Sequence, residues 1–83
     1  MKKANLNTIN GRFRHVRTTK GLTQEEFGKD LGLTRMGVNA IEVGRYAPVI
    51  EVLMKIKKRY NVSYSWMIDG GTEDVEIDAL TRE

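Results

Sequence analysis

Arg35, Met36, Asn39 and Ala40 are the residues of this sequence whose types and spacing most readily do chemistry. Positions i, i+1, i+4 and i+5 lie on one face of a helix. An arginine there can hold the O6 and N7 atoms of a guanine with two hydrogen bonds. An asparagine can do the same for an adenine, and a methionine or alanine can pack on a thymine methyl group. Val38 and Ile41 fall on the other side of the same stretch, with Leu33 just ahead of it, so the element buries one face and offers base-reading groups on the other. Other chemistries lack their groups. The chain has no cysteine and a single histidine, His15, too few for a zinc site or a Ser-His-Asp triad. No nucleophile, base and orienting group come together, so neither an enzyme nor a metal or cofactor site is expected.

The elements that must position this face are short helices. The first begins after Asn7 or Thr8, carries Ile9, Phe13 and Val16 on its apolar side, and stops at Gly21. Thr23-Gln24-Glu25-Glu26 is a capping box that starts the second helix, with Leu22 and Phe27 at the hydrophobic staple positions. Phe27 and Leu31 are its inner face and Gly32 its end. Gly28 costs about 1 kcal/mol relative to alanine inside a helix, which points to a crossing helix that needs the space. The third helix follows Leu33 and the N-cap Thr34, and ends at Gly44. Only Leu31-Gly32-Leu33-Thr34 separates it from the second, so the pair must cross steeply, as a helix-turn-helix does. Arg45-Tyr46-Ala47-Pro48 forms a loop. A fourth helix runs from about Val49 to Tyr60 with Ile50, Leu53, Ile56 and Tyr60 as its stripe. Lys55, Lys57, Lys58 and Arg59 sit near its end, where the helix dipole favours cations. Ser63 caps a fifth helix holding Trp66, Met67 and Ile68, closed by Gly70-Gly71.

Charge divides the chain. Residues 1–60 hold thirteen basic and five acidic side chains, a net +8, whereas residues 61–83 hold one basic and six acidic, a net −5. That asymmetry suits a body that binds a polyanion, followed by an acidic tail. With 83 residues the chain forms one small domain: residues 1–70 the body, residues 71–83 a tail that is disordered or dimer-forming. No apolar run approaches the length of a membrane span, and no signal-peptide core follows the N-terminus. A cytoplasmic binding module is expected, with no separate sensor domain.

The ordered set Gly21-Leu22-Thr23-Gln24-Glu25-Glu26-Phe27-Gly28, Leu31-Gly32-Leu33-Thr34, Val38 and Ile41-Glu42-Val43-Gly44-Arg45 resembles the Cro/repressor (XRE-like) helix-turn-helix family of phage and bacterial transcriptional regulators. Pro48, Leu53-Met54-Lys55-Ile56, Tyr60-Asn61-Val62-Ser63 and Trp66-Met67-Ile68-Asp69-Gly70 extend the likeness, which spans about residues 9–70. The resemblance implies an all-α, five-helix lambda-repressor-like bundle with its helix-turn-helix at helices 2–3. It further implies a homodimer bound to a near-palindromic double-stranded DNA operator, most simply as a repressor. By position, Gln24 matches a phosphate contact that buttresses a base-reading side chain. Arg35, Met36, Asn39 and Ala40 match base readers, and Thr34, Gly37, Arg45 and Tyr46 match backbone contacts. Arg17 and Glu42 match a structural ion pair. Two positions depart from the family pattern: Val43 stands where relatives carry asparagine, and Val49 stands at a helix N-cap.

Blander roles attach to other residues. Lys55, Lys57, Lys58 and Arg59 read as a solvated helix end, His15 as a surface residue and Trp66 as core. Tyr64, Ile68, Val75 and Ile77, with Leu80, form a candidate dimer surface. The competing class of function is an antitoxin-like interaction module that binds a protein partner through the acidic C-terminal segment.

Overall fold

The computed structural model describes residues 6–70. Five helices follow one another: α1 (Ile9–Thr19), α2 (Gln24–Leu31), α3 (Arg35–Glu42), α4 (Ile50–Tyr60) and α5 (Tyr64–Asp69). The described residues contain no strand, so the chain is an all-α bundle of the expected helix-turn-helix kind. The segments 1–5 and 71–83, the latter including Val75 and Ile77 of the candidate dimer surface, lie outside the described residues.

Local sequence accounts for most helix ends. Thr8 caps α1 by accepting from the Gly11 amide, and Thr34 caps α3 through the Gly37 amide. At α2 both halves of the capping box form: Thr23 accepts from the Glu26 amide while Glu26 accepts from the Thr23 amide. Such a box satisfies two of the amides that a helix start leaves without partners. Val49 heads α4 with no side-chain hydrogen bond, the consequence of an apolar residue at a capping position. Gly32 ends α2 in the left-handed region, at φ 74°, a conformation that glycine enters without a Cβ clash. Asn61 does the same for α4 at φ 57°.

The core is continuous. Phe13 and Val16 of α1, Phe27 and Leu31 of α2, Val38 and Ile41 of α3, Val52, Leu53 and Ile56 of α4, and Trp66 and Met67 of α5 are buried together. Phe27 stands at its centre, its ring 5.0 Å from that of Phe13 and 5.7 Å from that of Tyr60. Two expectations about this core are corrected. Ile50 is 56% exposed while Val52 is buried: α4 is rotated so that Val52, not Ile50, joins Leu53 and Ile56. His15 is not a plain surface residue, since its ring is half-buried with its centroid 6.2 Å from that of Trp66.

Gly28 is needed for a reason different in detail from the expected one. A Cβ built there would lie 2.5 Å from the Leu33 carbonyl oxygen and 3.3 Å from that of Thr34. The obstacle is the backbone of the turn, not a side chain of the crossing helix. The Leu33 amide also donates to the Gly28 carbonyl at 2.7 Å, so the turn folds back directly onto α2. Among the described residues, no helix is long and apolar enough to cross a membrane.

Candidate nucleic-acid interface

The two halves of the helix-turn-helix unit present one surface. On α3, Arg35, Met36 and Asn39 are exposed, Ala40 and Gly37 are half-buried, and Thr34 stands exposed at the cap. Met36 is 75% exposed, a position with no packing role. The loop after α3 exposes Arg45 and Tyr46. The structure thus sets Gln24, at the start of α2, against Asn39 and Glu42 in the second half of α3, with Thr34, Arg35, Met36 and Gly37 at the start of α3 and Arg45 and Tyr46 beyond its far end. Tyr64 and Ile68 lie apart from them, on α5.

Behind this surface a polar network is anchored on one carboxylate. Glu42, with its side chain 4% exposed, pairs with Arg17. Arg17 Nε donates to Glu42 Oε2 at 2.6 Å and Nη2 donates to Oε1 at 3.0 Å, a two-pronged contact. Burying an ion pair is costly unless the remaining polar atoms are also satisfied. Here they are. Arg17 Nη1 donates to the Leu22 carbonyl at 2.8 Å, and Glu42 Oε1 also accepts from the Gln24 amide nitrogen at 3.1 Å. Arg14, 44% exposed, adds a cation 3.8 Å from the same oxygen. The pair thus ties α1 to α3, and its Leu22 contact holds the chain entering α2.

Gln24 links that network to the exposed surface. Its amide nitrogen donates to Asn39 Oδ1 at 3.2 Å as well as to Glu42, so both of its N–H groups are used. An amide oxygen has two acceptor sites, and Asn39 retains its own NH₂ donor. Asn39 is accordingly oriented before any ligand arrives. The same residues, with Arg14, Arg17 and Val43, line a shallow polar cleft of about 360 Å³ between α1, α2 and α3.

Sequence reasoning missed Asn10. Its amide nitrogen donates to the Ile41 carbonyl and to the Tyr46 carbonyl, each at 2.7 Å. One side chain of α1 thereby adds a second donor to the Ile41 carbonyl, which also accepts from the Gly44 amide at 3.1 Å, and fixes the loop that carries Arg45 and Tyr46. Nothing in the local sequence announces this, because the partners lie 31 and 36 residues away.

No group of histidine, cysteine, aspartate and glutamate among the described residues could hold a metal ion. What the arrangement can do is present donors, cations and an apolar methionine to a surface of matching shape. Comparisons with known proteins point the same way. The model of the family described as helix-turn-helix matches residues 13–67. The chain is 28% identical over 72 residues to an SPbeta prophage-derived uncharacterized HTH-type transcriptional regulator of Bacillus subtilis, covering 87% of this chain and 67% of that protein. It is 35% identical over 54 residues to an uncharacterized HTH-type transcriptional regulator of Methanocaldococcus jannaschii, covering 65% of this chain and 82% of that protein. A further relative, from Archaeoglobus fulgidus, is 36% identical over 50 residues, covering 60% of this chain and 71% of its own length. No solved structure gives a significant match.

Proposed function

The chain belongs to the helix-turn-helix family and is a DNA-binding transcriptional regulator rather than an enzyme; from that premise we propose that it is a cytoplasmic repressor that binds a near-palindromic operator as a homodimer. Each copy lays α3 in the major groove, with the two copies about 34 Å apart along one face of the duplex. Arg35, Met36, Asn39 and Ala40 read base edges. Gln24, Thr34, Gly37, Arg45 and Tyr46 hold the flanking phosphates and set register. Arg17 and Glu42 contribute by fixing α3 and Gln24. The exposed Ile68 of α5 offers a contact for the second copy, and bound at the operator the dimer blocks polymerase.

The observation that carries this reading is the pairing of an exposed Arg35 and Met36 with an Asn39 already held by Gln24. A solvated surface helix has no need of a side chain braced from behind, whereas a groove reader gains by losing less freedom on binding.

Selection from a random-sequence duplex library tests it. The expected result is an enriched two-fold motif with half-sites one helical turn apart. Arg35→Ala then relaxes the preference at one base pair by about 1–3 kcal/mol, while Gln24→Ala weakens all sequences and also blurs the preference at the base pair that Asn39 reads. No enriched motif, or a uniform loss with Arg35→Ala, overturns the assignment of α3 as the reader.

A further inference from the structure

A second surface is formed by α4 and the start of α5. Glu51, Met54, Lys55, Lys57 and Lys58 of α4, with Tyr64 at the start of α5, line a shallow groove of about 540 Å³. Met54 is 53% exposed. The Lys57 ammonium stands 5.5 Å from the centre of the Tyr64 ring, within cation–π range. Lysine stems bury along apolar surface and leave their heads at the edge, so the groove has an apolar floor and a cationic rim. No ion pair among the described residues uses Lys57 or Lys58.

We propose that residues 71–83 of the same chain fill this groove. Complementarity carries the assignment. The segment holds five acidic residues and one basic, and Asp74-Val75-Glu76-Ile77-Asp78-Ala79 alternates acidic with apolar. An extended chain sends alternate side chains to opposite sides. Val75, Ile77 and Ala79 then meet Met54 and Tyr64, while Asp74, Glu76 and Asp78 meet the lysine heads. Glu51 is the groove's single carboxylate, and Arg82 is the segment's single cation.

Reach and tethering favour the chain's own segment over a second copy's. The segment continues from Gly70, the cap of α5. Asp74 to Ala79 lie four to nine residues past Gly70, a reach of up to about 14 to 32 Å, and the groove includes Tyr64, at the other end of the six-residue α5 that Gly70 caps. A short tether gives an effective concentration in the millimolar range, far above that of free copies in dilute solution. None of the groove residues lies on α2 or α3, so a filled groove leaves the DNA-reading surface open. It also commits Tyr64 within one chain and leaves Ile68 for the contact between copies.

The chain has no cysteine, so Ala79→Cys in the full chain places a single nitroxide on the segment. Isotope-labelled, nitroxide-bearing chain is diluted into excess unlabelled, nitroxide-free chain, which leaves only intramolecular effects. The amide signals of Met54, Lys58 and Tyr64 are then expected to broaden while those of Met36 and Asn39 stay sharp. Lys57→Glu with Lys58→Glu reduces the broadening at Met54 and Tyr64 several-fold, and adding Glu76→Lys with Asp78→Lys restores it. Raising the salt from about 0.1 M to about 1 M shortens the screening length from about 10 to about 3 Å and weakens it as well. Absence of groove broadening overturns the proposal. So does broadening seen only when the nitroxide and the isotope are on different chains, which would assign the groove to the segment of a second copy. No DNA enters the measurement, so its failure leaves the operator reading untouched.

Discussion

The α2–α3 half and the α4–α5 half of the molecule are tied to α1 by different partners of an arginine: a carboxylate in one, backbone carbonyls in the other. Towards α3, α1 sends Arg17 to a buried carboxylate. Towards α5, it sends Arg12, only 5% exposed, to backbone carbonyls alone: Nε to Met67 at 2.8 Å, Nη2 to Ile68 at 2.8 Å and Nη1 to Leu6 at 2.7 Å. The guanidinium thus sits between the Leu6 carbonyl ahead of α1 and two carbonyls of the last turn of α5, where the negative end of a helix favours a cation. The α2–α3 half starts each helix with a threonine cap and closes its turn on Gly28. The α4–α5 half starts with an uncapped valine and exposes Val49, Ile50, Met54 and Ile68. Both halves are also secured by an arginine reaching in from α1, so what separates them is the start of α4, which lacks the local cap that α2, α3 and α5 have.

The largest effect should come from the first half. Glu42→Ala leaves the half-buried Arg17 without its partner and releases Gln24, at an expected cost of about 3 kcal/mol or more. Denaturant unfolding followed by circular dichroism measures it. Arg12→Met keeps the volume but leaves three carbonyls without donors. We expect about 3 kcal/mol, the size of one or two charge-assisted hydrogen bonds, with the loss of amide-exchange protection concentrated in α5. A larger cost than that of Glu42→Ala would invert the comparison and make the carbonyl clamp the main fastener of the fold.

A smaller change sharpens the contrast between helix starts. Val49 is 59% exposed, so Val49→Thr sacrifices little burial and supplies the missing cap. It should stabilise the protein by about 1 kcal/mol, and Thr23→Ala should destabilise it by a similar amount; the two shifts in unfolding midpoint are directly comparable.

The smallest expected effect lies on the seam between the halves. The Tyr60 hydroxyl donates to Asp30, which also accepts from Arg59 at 3.2 Å. Burial, then the hydrogen bond to Asp30 and its negative charge, push the Tyr60 phenol up to about 12 from 10.0, against an opposing pull from Arg59. The raised value means that the fold favours the neutral phenol. Its contribution is therefore complete below about pH 10 and fades as the pH rises through about 12. Spectrophotometric titration should show a late phenol phase near pH 12, and Tyr60→Phe should remove it.

The same division explains what could be read from the sequence. Thr23, Glu26, Gly32 and Thr34 act on neighbours within a few residues, so α2, the turn and α3 were legible, as was the set of side chains exposed on α3. Arg12 was not, because an arginine among Arg14, His15 and Arg17 looks solvated, and its partners at Met67 and Ile68 are 55 and 56 residues away. Asn10 was hidden for the same reason. On α4, Ile50 and Val52 both fit an apolar stripe, and only the packing of α4 against its neighbours decides between them. His15 followed the helical period correctly but met Trp66 arriving from the other end of the chain.

Met36 and Arg35 project from a helix whose attachment depends on Val38, Ile41 and Glu42, residues that face the opposite way. Address and anchorage are thus written in separate letters of the same eight-residue word. On the proposed reading of α3, the outward letters can be exchanged to recognise a different stretch of DNA without renegotiating how the protein folds. Asn39 is the exception: held by Gln24, it can be rewritten freely only together with its brace.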